Sequence, residues 1–350
     1  MTSPITAPNP WRGRRFQLGA TVAALAAAAL VVPVGSSANS HKVHRVHAHI
    51  ARGTLTVKGG HDGQRVALRL KAGDPSRIEV DAGDDGSADF SFDRARVHSI
   101  DVKMGDGNDS ARIDDANGAF TDSIFTTIAG GDGNDTLEGG QVQVAAENET
   151  FDGGDGNDSV DGGKGNDIAD LGDGHDTFRW DNGEGSDVIE GQDGSDAMVF
   201  NGGAASENVT LTANKGRLTF FRIQGNVTMD TDGVETIDFN ALNGTDNVTV
   251  NDLSGTDVTQ ANIDLAGTLG GNAPDGIAEN VVVNGTNGDD AISIAGTGAG
   301  AGVTGLAATV SITHADPTDT LSVDTLEGTD AVRTGGVAGV LQVLVDGAPV

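Results

Sequence analysis

The chain of 350 residues contains no cysteine and no tyrosine, and it holds only two tryptophans. Without cysteine there are no disulfides, no thiolate zinc or iron–sulfur sites and no thiol nucleophile. Without tyrosine one common acid or base is gone as well. Aromatic residues make up 4% of the chain, too few to fill a thick globular core. Basic residues are scarce: 21 Lys and Arg stand against 52 Asp and Glu, for a formal net charge of -31. A polyanion of this strength repels nucleic-acid phosphates and anionic lipid headgroups, so its natural partners are cations. In excess is glycine, with 53 residues. Such a composition leaves disorder, or a thin repetitive architecture held by its backbone.

The N-terminus reads as an export signal. Arg12, Arg14 and Arg15 precede an apolar run from Leu18 to Val34, and Ser36-Ser37-Ala38 offers a small-x-small cleavage site. The run is shorter than the roughly 20 residues that span a bilayer, which favours a cleaved signal at 1–38 over a retained anchor. Arg14-Arg15-Phe16 resembles a twin-arginine signal only loosely. Removing 1–38, with its three arginines and no acid, takes the charge from -31 to -34. A secreted, extracellular or cell-surface protein is expected, with no membrane insertion after cleavage, in surroundings where calcium is about millimolar. His41, His44, His47 and His49 follow. A strand would put His47 and His49 on one face, as a transition-metal site would need, but a basic, flexible lead-in to the first strand is the plainer reading.

The middle of the chain is a repeat. The nonapeptide Gly-Gly-x-Gly-x-Asp-x-apolar-x is complete at Gly130–Glu138, Gly153–Asp161 and Gly162–Asp170. Four more copies depart at one or two positions: Met104–Arg112, Leu171–Arg179, Asn182–Glu190 and Gly191–Val199. Glycines at positions 1, 2 and 4 permit a positive-φ, tightly curved backbone whose carbonyls can face a cation. Aspartate at position 6 supplies a hard carboxylate oxygen. The apolar residue at position 8 (Leu137, Val160, Ala169, Phe178, Ile189 or Met198) falls in a short strand and points inward. Two nonapeptides then close a flattened coil of about 18 residues, and stacked coils pair as parallel strands roughly 4.8 Å apart. Calcium would sit between turns of one edge in successive coils.

This pattern resembles the hemolysin-type (RTX) calcium-binding repeat. The resemblance implies an all-β fold, a parallel β-roll within a β-solenoid, whose turns hold Ca2+ through backbone carbonyls and the position-6 aspartates. Carried over by position, the candidate ligands are Asp109, Asp135, Asp158, Asp176 and Asp196 on one edge, and Asp167 and Asp187 on the other. The position-1 glycines Gly153 and Gly162 and the position-3 aspartates Asp155, Asp173 and Asp193 complete the candidate set. The halves at 113–129 and 139–152 and the chain after Val199 are longer and degenerate, so lopsided coils are expected. Trp180 and Asp181 interrupt the head-to-tail order, which puts the Asp167/Asp187 site in doubt. Residues 101–200 carry 25 acidic and four basic side chains. That repulsion would keep the segment open until cations bind. The in-phase apolar residues argue against a mere acidic spacer.

The flanks read as irregular, β-rich coils: an N-terminal segment at 39–103, then the roll at 104–200, then a degenerate solenoid at 201–350. Leu55–Val57, Val66–Leu70, Ile78–Val80, Phe90–Phe92 and Ile100–Val102 alternate apolar with polar residues. Asp84–Asp89 is acidic enough for a calcium loop but lacks the EF-hand spacing, so a hairpin turn is expected there. Ten further strands are expected from Val209–Thr212 to Leu321–Val323. Relics of the repeat at Asp246, Asp290 and Asp330 lack the neighbouring glycines and read as structural turns.

No His-Glu-x-x-His, Gly-x-Ser-x-Gly or phosphate-loop motif is present. The repeat often accompanies enzymes or toxins as an appendage, and here the appendage stands without a catalytic motif. The expectation is a non-catalytic calcium-binding solenoid, structural or adhesive, whose partner beyond calcium would be a cell-surface or matrix polymer. The alternative is a polysaccharide-acting β-helix enzyme, an epimerase or lyase, for which the lack of Tyr and scarcity of Arg and His are unfavourable.

Overall fold

The computed structural model describes residues 46–142 and 148–350. The export signal expected at 1–38, together with His41 and His44, lies outside the described residues. The described chain is almost entirely strand and turn, arranged as a 16-stranded and a 14-stranded sheet. Among the described residues no helix is long and apolar enough to cross a membrane.

The two sheets are the two broad faces of a solenoid. In one, Thr54–Lys58, Ser99–Asp106, Phe125–Asp132, Glu149–Asp155, Ile168–Gly174 and Val188–Glu190 pair in parallel in that order. In the other, Ser110–Asp114, Thr136–Glu138, Ser159–Asp161, Thr177–Trp180, Ala197–Asn201, Thr236–Asn240, Gln260–Asp264 and Thr309–Thr313 do the same. The chain alternates between faces, so each circuit adds one strand to both. Between Asp158 and Asp176 the circuit takes the expected 18 residues. It lengthens to 23 between Asp135 and Asp158, to 26 between Asp109 and Asp135, and to 39 between Asp196 and Glu235.

The period-2 alternation of each strand sends every second residue into a narrow apolar layer between the faces. Leu137, Val160, Ala169, Phe178, Ile189 and Met198, the position-8 residues, are all fully buried there. Four of the large buried aromatics gather where the repeats end. Trp180 stacks on Phe200 with ring centroids 3.9 Å apart, and Phe220 and Phe239 close around Phe200. Trp180 therefore fills the core of the coil that it lengthens.

The flanks are less regular than a plain stack. Three antiparallel excursions leave and rejoin the coil: Arg65–Lys71 with Asp74–Ala82 and Phe90–Asp93, Asn208–Asn214 with Arg217–Arg222 and Val227–Asp232, and Ala291–Gly296 with Ala301–Thr304 and Thr309–Thr313. Asp84–Asp89 lies at a hairpin turn as expected, and Asp84 is taken by Arg112 through two hydrogen bonds of 2.8 Å. His47 and His49 belong to the strand His47–Ala51, on its exposed face, rather than to a flexible lead-in.

Candidate metal centre

A single positional rule places the acidic residues. Asp109, Asp135, Asp158, Asp176 and Asp196 each stand one residue before a strand of the 14-stranded sheet, and Asp167 and Asp187 one residue before a strand of the other. They therefore lie at the bends, in two rows along opposite borders of the coil. Within a row, each aspartate is bonded to the next coil. The backbone N–H of Asp109 donates to Asp135 Oδ1 at 2.7 Å, Asp135 to Asp158 at 2.7 Å, Asp158 to Asp176 at 2.7 Å and Asp176 to Asp196 at 2.8 Å. Asp196 continues the row to Glu235 Oε2 at 2.7 Å. On the other border Glu149 N–H donates to Asp167 Oδ1 at 2.7 Å, and Asp167 to Asp187 at 2.8 Å. The insertion of Trp180 and Asp181 leaves this second row intact.

Each carboxylate thus uses one oxygen to tie the stack together. In every position-6 aspartate but Asp187 the other oxygen is left over. Oδ2 of Asp109, Asp135, Asp158, Asp167, Asp176 and Asp196 is buried with no hydrogen-bond partner among the described residues. Burial of an ionised, half-satisfied carboxylate is costly, and the group must take up either a proton or a cation. Burial accordingly pushes Asp109 and Asp135 up to about 6, and Asp158, Asp187 and Asp196 up to about 7. Asp167 is raised further, first by burial and then by the charges of Asp187 and Glu149.

The glycines explain what else lines these bends. A Cβ on Gly130 would come closer than 3.0 Å to both Asp135 Oδ2 and the Gly153 carbonyl oxygen. On Gly153 it would meet Asp158 Oδ2 and the Leu171 carbonyl, and on Gly191 Asp196 Oδ2 and the Gly233 carbonyl. A Cβ on Gly162 would likewise crowd Asp167 Oδ2. An unpartnered carboxylate oxygen and a carbonyl of the neighbouring coil converge over a bare glycine. This corrects the sequence reading of position 1: these glycines are not positive-φ residues, and they are bare because a side chain would fill the oxygen-lined space. Positions 2 and 4 do carry positive φ, as at Gly154 (φ 110) and Gly156 (φ 139). There, too, an added Cβ would strike the carbonyl of the coil below, Gly131 and Gly133 respectively. Hard oxygens on a crowded, buried bend suit calcium, which takes six to eight such ligands.

The position-3 aspartates are set apart from this row. Asp155, Asp173 and Asp193 are exposed on the outer side of the bend, in register with one another, and the carbonyls of Asp155 and Asp173 accept N–H groups of Gly133 and Gly156. Their side chains therefore form a second, outward line of charge, separate from the buried carboxylates.

Several acidic residues in equivalent positions escape a search for aspartate. Glu207, Glu235 and Glu279 occupy the same place before a strand, Glu149 is the first residue of its own, and Asp319 stands before a strand without a glycine upstream. Asp246, read from sequence as a structural turn, accepts from Glu207 N–H at 2.7 Å and leaves Oδ2 buried and unpartnered. Asp161, Asp181 and Glu184 form a further cluster beside the Trp180 insertion, with ligand atoms within 4.8 Å of one another. Arg179 pairs with Asp161 and Asp181. Burial, followed by the charge of Asp161, pushes Glu184 up to about 9.

No curated protein matches the chain. Among protein families, the RTX calcium-binding nonapeptide repeat matches residues 126–141, 145–178 and 183–204, in four copies. These segments contain six of the seven position-6 aspartates and most of the glycine-floored bends. The central coils of this all-β solenoid thus match the RTX calcium-binding nonapeptide repeat in sequence, and their bends carry its aspartates and glycines.

Proposed function

We propose that the protein is a secreted, non-catalytic solenoid whose central coils fold and stiffen on binding calcium, and that the stiffened rod has a structural or adhesive role at a cell surface or in a matrix. The observation that carries this reading is the line of buried carboxylate oxygens without partners along the bends. At low free calcium the rows of carboxylates repel one another. At the millimolar calcium found outside cells, extracellular-type sites of about 0.1 to 1 mM affinity would be largely filled. Asp109, Asp135, Asp158, Asp176 and Asp196 on one border, and Asp167 and Asp187 on the other, would hold the ions together with carbonyls over Gly130, Gly153 and Gly191. Bound calcium supplies positive charge between coils and no reaction. An adhesive role is supported by the long flat faces and by the outward acidic line of Asp155, Asp173 and Asp193, which could share calcium with an acidic polymer.

The test is a calcium titration followed by far-ultraviolet circular dichroism and calorimetry. Gain of β structure with saturable binding heat is expected. Binding without gain of β structure would indicate a disordered buffer, and no binding heat at all would overturn the proposal. Turnover of uronate polymers by the purified protein would overturn the non-catalytic part.

A further inference from the structure

Beyond the repeats, the second border of acidic residues resumes. Glu207, Asp246, Glu279 and Asp319 each stand one residue before a strand of the 16-stranded sheet, in successive coils. The backbone joins them as it joins the repeats: Asn247 N–H donates to the Glu207 carbonyl at 2.9 Å, Asn280 to Asp246 at 2.8 Å and Thr320 to Glu279 at 2.9 Å. At the head of this row Glu207 is neutralised by Arg222, through hydrogen bonds of 2.5 and 2.7 Å. The next three have no such counter-charge. From Ile223 to Val332 the chain contains no lysine or arginine at all. Its one histidine there, His314, is engaged with Asp264 at 2.6 Å.

Glu279 is the decisive residue. It is 4% exposed, and among the described residues neither of its carboxylate oxygens meets an N–H or O–H donor, while the side chain lies within hydrogen-bonding reach of the Asp319 carboxyl. Its carboxyl faces that of Asp319, with the charges of Asp275 and Asp246 nearby. Asp319 Oδ1 is taken by Glu279 N–H at 3.1 Å and Oδ2 by Asp316 N–H at 2.7 Å. Asp246, fully buried, adds another unpartnered oxygen, Oδ2. In the repeats most of the position-6 aspartates leave one oxygen over; Glu279, like Glu149, leaves two, and it stands beside three other acids. Oxygen donors of net negative charge, with no imidazole or thiolate among them, select a hard divalent cation.

We propose that Glu279, with Asp319 and Asp246, forms a divalent-cation site in the C-terminal coils, outside the segments that carry the RTX repeat. Calcium is the fitting ion. The site would clamp the strands Asn247–Val250, Asn280–Asn284 and Thr320–Asp324 and carry cation-dependent rigidity past the aromatic cluster at the end of the repeats. It stands beside the proposal for the repeats and does not require it.

Hydrogen–deuterium exchange of the full-length protein at pH 8, with chelator or with millimolar calcium, tests the site directly. Amides in 275–284 and 316–324 are expected to slow by about tenfold or more when calcium is added. In E279Q that slowing should be lost and one fewer calcium should be counted by native mass spectrometry, while 153–199 still responds. Calcium-independent exchange at 275–324 in the wild-type protein would overturn the site, and would point to a proton shared by Glu279 and Asp319. A failure of the repeats would appear separately, as an unresponsive 126–204. Should E279Q fold poorly, D319N and the wild-type comparison decide the question.

Discussion

The backbone N–H of Asp158 donates to Asp176 Oδ1 at 2.7 Å across one 18-residue coil, while Oδ2 of the same carboxylate is buried without a partner among the described residues. One side chain thereby does two things. Its first oxygen sets the register of two coils, and its second creates a demand for positive charge between them. Assembly and ion binding are coupled through the same carboxylate, which is why metal affinity and folding free energy should be inseparable here.

Asp176→Asn separates the two. The amide oxygen can still accept from Asp158 N–H, but the second position becomes an uncharged donor. The midpoint of the calcium-induced folding transition should move to about tenfold higher calcium, because affinity at such sites follows ligand charge. Asp155→Asn, an exposed position-3 change, should move it far less. Circular dichroism titrations of both variants check the difference; equal midpoint shifts would remove the distinction between the buried and the outer rows.

Without calcium, pH should take its place in part. Asp158, Asp187 and Asp196 sit near 7 in the folded chain, against 3.8 for an ordinary aspartate, because burial disfavours their charged form. Between these values the folded state binds more protons than the unfolded one, so stability falls as pH rises. The calcium-free protein should therefore be most folded near pH 4 to 5 and lose β structure as pH climbs through about 6 to 7. Saturating calcium should flatten that dependence. Dichroism against pH, with chelator and with calcium, reads both curves, and a calcium-free protein that gains structure towards pH 8 would contradict the account.

The position-6 aspartates of the repeats were legible because glycines on one side and an apolar residue on the other frame them. Glu149, Glu207, Glu235 and Glu279 were not, since a glutamate at or just before the start of a strand has no such frame. Only its place two residues ahead of a buried apolar side chain (Phe151, Val209, Ile237, Val281) marks it. The strands of the flanks were visible from their alternation. Their direction was not, because alternation is the same in a parallel coil and in the antiparallel excursion Asn208–Asn214/Arg217–Arg222/Val227–Asp232. The cluster of Asp161, Asp181 and Glu184 depends on how a two-residue insertion folds, which no local pattern conveys.

Glycine substitutions should sort by what lies above them. At Gly73 (φ 74) no atom stands within 4 Å of an added Cβ, so Gly73→Ala meets only backbone strain, about 1 kcal/mol. Gly156→Ala combines φ 139 with a clash against the Gly133 carbonyl, and the coils would have to part. It should cost several times more and persist at saturating calcium. Gly153→Ala keeps an ordinary φ but also strikes a backbone carbonyl of the next coil, that of Leu171, and in addition crowds Asp158 Oδ2, so it should destabilise under both conditions and more in calcium than in chelator at low pH. Thermal melts of the three variants under both conditions separate strain, stacking and ion binding.

Trp180 reports the transition from inside. It is fully buried, stacked on Phe200 with an interplanar angle of 7°, and its indole Nε1–H donates to the Gly185 carbonyl at 2.9 Å. Gly185 belongs to the bend that Asp187 closes, so the ring is tied to the second border as well as to the core. With Trp11→Phe, Trp180 becomes the chain's sole tryptophan. Its emission should then lie to the red in chelator and shift to the blue on calcium addition, along the same midpoint as the dichroism if core packing and ion binding are one event. Trp180→Phe retains the stack but loses the indole bond and part of the ring area, and should raise the calcium needed for folding without abolishing it. A blue-shifted emission that ignores calcium would mean the aromatic cluster forms on its own, and would confine the ion's role to the bends.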